Sequence, residues 1–150
     1  MLAAFLYYRA ARNSYTERHM QRRTIMIVDE MPDHRDILCR LLNAEGYRVL
    51  EAECGADALD QACAEQPDLI LMELSLPGQP GWETVRLLHD QPALARTPIL
   101  GTTVYNTLLT TPRVRALGCV GFVDKPFDMD ELLRRIDQLL SGEPQPVLAA

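Results

Sequence analysis

The sequence predicts an α/β fold, a doubly wound parallel sheet of five strands, and two observations predict it. Apolar runs alternate with amphipathic ones five times along the chain, which is the signature of repeated strand–helix units. The acid pair Asp29-Glu30, then Glu73, Thr103 and Lys125 each stand where an apolar run meets a turn. In a parallel sheet such positions converge at one carboxyl edge.

Each element has its own warrant. Ile25–Val28 reads as a buried strand, and residues 33–44 follow with Ile37, Leu38, Leu41 and Leu42 at helical spacing, ended by Gly46. Tyr47–Ala52 is a second strand, and Gly55–Ala64 is a short Ala-rich helix stopped by Pro67. Leu69–Met72 is the third strand, closing on Glu73 and followed by a Pro77-Gly78 turn. Trp82–Leu88 carries Val85, Leu87 and Leu88 on a third helix. Pro98–Thr102 and Cys119–Val123 are strands four and five, and Met129–Leu140 closes the fold with Leu132, Leu133, Ile136, Leu139 and Leu140. Between the last two strands, Thr111 as cap and Pro112 at the first helical position predict a short helix that starts late.

With 150 residues, nearly half of them apolar, the chain supports one domain with a real core. No apolar run reaches the roughly 18–20 residues that span a bilayer, and the Leu2–Tyr8 stretch lacks the flanks of a signal peptide. The expected location is the cytoplasm. Cys39, Cys54, Cys63 and Cys119 form no C-x-x-C pair, so buried reduced thiols are expected rather than a zinc site or a disulfide framework. Residues 1–23 hold five arginines against Glu17, a net of +4, whereas residues 24–150 hold ten basic against twenty acidic side chains. The expected organisation is therefore a basic extension at 1–23, a domain at 24–140 and a tail at 141–150. So acidic a domain is a poor nucleic-acid binder, because phosphate contacts need clustered Lys or Arg.

The functional candidates are spaced 43, 30 and 22 residues apart, from Glu30 to Glu73, Thr103 and Lys125. Lys125 is the only lysine in the chain and sits in Asp124-Lys125-Pro126-Phe127. Asp29, Glu30 and Glu73 bring three negative charges to one crevice and Lys125 returns one positive, so the crevice must take a cation or raise a carboxylate pKa. A Gly-rich phosphate loop is missing after the first strand: Asp29-Glu30-Met31-Pro32 stands there and would repel phosphate, which argues against an unrelated flavodoxin-like nucleotide binder.

This constellation resembles the receiver domain of two-component response regulators over about residues 24–140. The resemblance implies the flavodoxin-like strand order 2-1-3-4-5 and a magnesium site made by Asp29, Glu30, Glu73 and the carbonyl of Ser75, hard oxygen donors suited to Mg²⁺. It also implies that Lys125 holds phosphoryl oxygens, after a strand and before a cis proline, and that Thr103 and Phe122 occupy the hydroxyl and aromatic switch positions. The implied partners are a histidine kinase, another signalling protein or a second copy of the chain.

One residue departs from the pattern. Receivers carry an aspartate that takes the phosphoryl group, and here that position is Glu73. Its carboxylate advances by about 1.5 Å, yet it adds neither the charge of about −1.5 to −2 nor the three oxygens of a phosphoryl group. The reading is a stand-alone, degenerate receiver that is not an enzyme and works by protein interaction, since only ten residues follow Leu140. Mg²⁺ is expected to bind weakly, and two alternatives stay open: phosphoryl transfer to Glu73 from a histidine kinase, and an engineered stand-in for the phosphorylated state.

Overall fold

The computed structural model describes residues 22–76, 80–103 and 116–142. Five parallel strands, β1 (Thr24–Val28), β2 (Arg48–Ala52), β3 (Leu69–Glu73), β4 (Ile99–Thr103) and β5 (Gly121–Asp124), form one sheet in the order β2-β1-β3-β4-β5. Four helices are described: α1 (Pro32–Ala44), α2 (Gly55–Glu65), α3 (Gly81–His89) and α4 (Met129–Ser141). A short 3₁₀ turn at Pro92–Leu94, which the sequence pattern does not signal, buries Leu94 beneath α3. None of the described helices is long and apolar enough to cross a membrane.

Every residue of β1, β3 and β4 is buried, as expected for parallel strands covered on both faces. Their side chains alternate between two cores, because successive residues of a strand point to opposite faces. Met26, Val28, Ile70, Met72 and Ile99 meet Ala58 and Ala62 of α2 and Val85 and Leu88 of α3. Ile25, Ile27, Leu69, Leu71 and Leu100 meet Leu38 and Leu42 of α1 and Leu132, Leu133 and Ile136 of α4. Register follows this division, with Ile27 opposite Leu71 and Leu71 opposite Leu100. A slip of one residue would turn both sets inside out.

Helix ends follow local chemistry. Pro32 opens α1 at a position where no amide partner is needed. Gly46 then reverses the chain at φ +93, a conformation that disfavours any side chain. At α4 the Asp128 carboxylate accepts the Glu131 amide at 3.1 Å, a side-chain N-cap. Arg22 and Arg23 also reach the folded body, Arg22 toward the carbonyls of Gly46 and Tyr47 and Arg23 toward Asp68.

Several expectations need correction. Ile37 is 48% exposed, since the face of α1 that meets the sheet is centred on Leu38 and Leu42. Leu41 and Leu87 are only half-buried. Of the four free cysteines only Cys119 is buried; Cys39 and Cys54 are intermediate and Cys63 is exposed. Burial pushes the thiols of Cys119 and Cys39 up to about 11, which suppresses the reactive thiolate. The Pro77-Gly78 turn, the late helix at Thr111 and Pro112, the extension up to residue 21 and the tail beyond Gly142 lie outside the described residues.

Helix α3 begins hard against the end of β3. A methyl group on Gly81 would lie 2.5 Å from the Glu73 carbonyl oxygen and 2.6 Å from the Leu74 Cα, both backbone atoms. Neither can step aside cheaply. Gly81→Ala is therefore expected to cost about 1–3 kcal/mol, the usual penalty of overpacking, as measured by urea unfolding; wild-type stability would show that α3 can shift freely.

Candidate functional site

Chain reversal after parallel strands puts the predicted polar residues at one edge of the sheet. Asp29 directly follows β1, Glu73 ends β3, Thr103 ends β4 and Lys125 directly follows β5. The Asp29 and Glu73 residues are 1% and 5% exposed, and the Lys125 side chain is 6% exposed. The structure joins these three: the Lys125 ammonium donates to Asp29 Oδ2 at 2.6 Å and also to Glu73 Oε2. Its Nζ lies over the Phe127 ring, 5.9 Å from the centroid, within reach of a cation–π attraction. The Lys125–Pro126 peptide is cis.

Both carboxylates are committed on their remaining oxygens as well. Glu73 Oε1 accepts the Ser75 amide at 2.9 Å, and Asp29 Oδ1 accepts the Met31 amide at 2.9 Å. Thr103 is buried, and its carbonyl accepts the Lys125 amide at 2.9 Å, so the threonine and the lysine are held by one backbone bond. Glu30 is exposed and contributes its carbonyl to the network. Ser75 is exposed. Phe122 is half-buried against the α2–α3 core, with its carbonyl accepting from Arg135. Burial of the Arg135 guanidinium lowers its pKa.

Two residues of the site were not singled out in the sequence. His34 Nδ1 lies 3.3 Å from Asp29 Oδ2 and 3.1 Å from Lys125 Nζ. Arg35 donates from Nη1 to the carbonyls of Asp29 at 2.8 Å and Glu30 at 3.2 Å. The only available signal was a pair of basic residues in the first turn of α1, just past the two acids. Such residues ordinarily read as a solvated helix face.

The donor chemistry suits a hard divalent cation, and in this structure the Asp29 and Glu73 carboxylates are turned to Lys125 and to the Met31 and Ser75 amides. Among the described residues no three His, Cys, Asp or Glu side chains are grouped to hold a metal ion. Lys125 supplies the positive charge that the two buried carboxylates require, because an isolated charge in such a place is strongly penalised. Removing it leaves both acids uncompensated. Lys125→Met is expected to cost about 3–5 kcal/mol at neutral pH, and adding Glu73→Leu should restore part of that loss. A double-mutant cycle by denaturant unfolding measures the coupling, and additive effects would mean that the pair contributes nothing.

Comparisons with known proteins agree with this fold. The family model described as the response regulator receiver domain matches residues 25–137. The polar-differentiation response regulator DivK of Brucella ovis is 30% identical over 118 residues, covering 79% of this chain and 96% of the relative. Among solved structures, the chemotaxis response regulator CheY4 of Vibrio cholerae superposes with a TM-score of 0.75 at 28% identity, covering 80% of this chain and 100% of the other. The receiver domain of the sensor histidine kinase PA1611 from Pseudomonas aeruginosa, solved with a magnesium ion coordinated in its active site cleft, gives 0.74 at 26% identity, with 80% and 98% covered. From the match across residues 25–137 and the parallel sheet in the order β2-β1-β3-β4-β5, this chain belongs to the response regulator receiver domain family, the signalling modules of two-component systems.

Proposed function

We propose that this receiver acts by protein–protein interaction largely independent of phosphorylation at Glu73. The observation that carries the reading is the engagement of both Glu73 oxygens, one by the Ser75 amide and the other by the Lys125 ammonium. Attack on a phosphoryl donor needs an oxygen aligned with the phosphorus, and a misplacement of about 1 Å can cost about 10²-fold. Glu73 stands where the family's acceptor is one methylene shorter. Transfer to it is accordingly slow, because phosphoryl transfer draws almost all its acceleration from positioning and electrostatics.

In this reading Asp29, Glu30, Glu73 and Ser75 are the magnesium-site equivalents, and Thr103, Phe122 and Lys125 are the switch and phosphate-contact equivalents. Mg²⁺ binding is weak, since a divalent ion competes with the Lys125 ammonium for the same carboxylates. The partner is a histidine kinase or another signalling protein in the cytoplasm.

Acetyl phosphate with Mg²⁺ tests the chemistry. The chain should stay unlabelled by mass spectrometry while Glu73→Asp gains one phosphoryl group, and comparable labelling of the two would refute the reading. Calorimetric titration tests the metal: Mg²⁺ should bind the chain more weakly than it binds the Glu73→Asp variant. Equal or tighter binding by the glutamate form would remove the competition argument.

A further inference from the structure

Beyond the family's acids and lysine, the acidic turn has a support that none of those residues explains. The last sheet hydrogen bond of β1 on the β2 side runs from the Asp29 amide to the Ala52 carbonyl at 3.1 Å. Past that point β2 has ended, and the carbonyls of Asp29 and Glu30 lose their ladder. The buried Asp29 carbonyl in particular needs a donor. Arg35 serves both carbonyls from a single nitrogen, at 2.8 and 3.2 Å. The other edge of the same guanidinium faces carboxylates: Nη2 lies 3.4 Å from Glu53 Oε1, and Nε lies 3.5 Å from Glu51 Oε1. The Arg35 side chain is only 11% exposed, whereas those of Glu51 and Glu53 are 51% and 76% exposed.

We propose that Arg35 is the positioning residue of the acidic turn: by gripping the carbonyls of Asp29 and Glu30 it aims the Asp29 carboxylate at Lys125. The turn then has three ties. The Asp29 amide holds β2, the Asp29 and Glu30 carbonyls hold Arg35, and the Met31 amide closes back on Asp29 Oδ1. With all three in place, Oδ2 is left directed at Lys125 and His34. The planar fork matters, because Nη1 on one side meets the carbonyls while the Nε–Nη2 edge meets the carboxylates. A lysine at this position keeps the charge but presents a single nitrogen. The inference stands on this geometry and is independent of whether Glu73 accepts a phosphoryl group.

Lys125 is the chain's only lysine, so lysine-labelled protein reports on the site with one side-chain NMR signal. In Arg35→Ala the Lys125 Cε cross-peak should move toward the position of a solvent-exposed lysine. The Met31 amide should exchange with solvent about tenfold faster, the equivalent of one lost buried hydrogen bond. Arg35→Lys should do the same to a smaller extent and takes the place of the alanine variant if that variant does not fold. Val85→Ala, in the core on the other face of the sheet, should lower stability while leaving the Lys125 signal in place. The double variant Glu51→Gln/Glu53→Gln should also leave it in place, since the carbonyl bonds remain. An unmoved Lys125 signal and unchanged Met31 exchange in both Arg35 variants would reduce Arg35 to a merely structural role. A shift in the glutamine double variant as large as that in Arg35→Ala would overturn the assignment to the carbonyl contacts.

Discussion

The carboxyl edge of this sheet is organised by one buried ammonium. Lys125 follows β5, yet it bonds to acids at the ends of β1 and β3. Among the described residues it is the side chain that ties those three strand ends together. An uncompensated carboxylate or ammonium in so dry a place costs several kcal/mol, so each of the three groups is tolerable only because the others are there. The surrounding bonds follow from this constraint. Ser75 and Met31 amides take up the oxygens the lysine leaves, and the Thr103 carbonyl fixes the lysine's own backbone.

On the proposed reading, in which position 73 is the family's acceptor position, glutamate there alters that balance through its length rather than its charge. It carries the same single charge as aspartate, so the lysine is neutralised as before. In that reading the extra methylene carries the carboxylate further into the crevice, toward the space that a phosphoryl group would need. A receiver switches when a ligand binds one of its conformations more tightly than the other, and it shifts only as far as that difference allows. On the proposed reading the strongest such ligand, the phosphoryl group, is replaced by a permanent internal contact. Regulation then rests with whatever protein binds the surface.

The fold was legible in the sequence because each core strand is buried on both faces and each helix shows one apolar stripe. Strands such as Leu69–Glu73 leave little else for an apolar run of that length to be. Acids at strand ends were legible for the same reason, since a charge closing an apolar run has nowhere to go but the sheet edge. Ile37 was misread because adjacent apolar residues at 37 and 38 both fit a helical template, and only packing decides which one faces inward. Cys63 was misread in the same way. Arg35 and His34 were invisible for a different reason. Arg35 answers to backbone carbonyls, which every residue carries, and no side-chain pattern announces that two of them have lost their partners. The demand on Gly81 comes from the close approach of the Glu73 and Leu74 backbone, eight and seven residues earlier in the chain, and spacing does not encode it.

Charge counting shows most plainly what the structure adds. The sequence sets Asp29, Glu30 and Glu73 against Lys125 and arrives at a crevice that must recruit a cation. In the folded chain Glu30 is exposed, where water screens its charge, so the buried balance is two carboxylates against one ammonium. Backbone amides from Ser75 and Met31 stabilise those carboxylates further, and hydrogen bonds to an ionised acid are among the stronger ones. Arg35 places a second cation behind the turn, at the carbonyls of the same acids. The buried charge is thus nearer to balance than the sequence count implies, and on the proposed reading a divalent cation displaces a resident charge rather than filling a need.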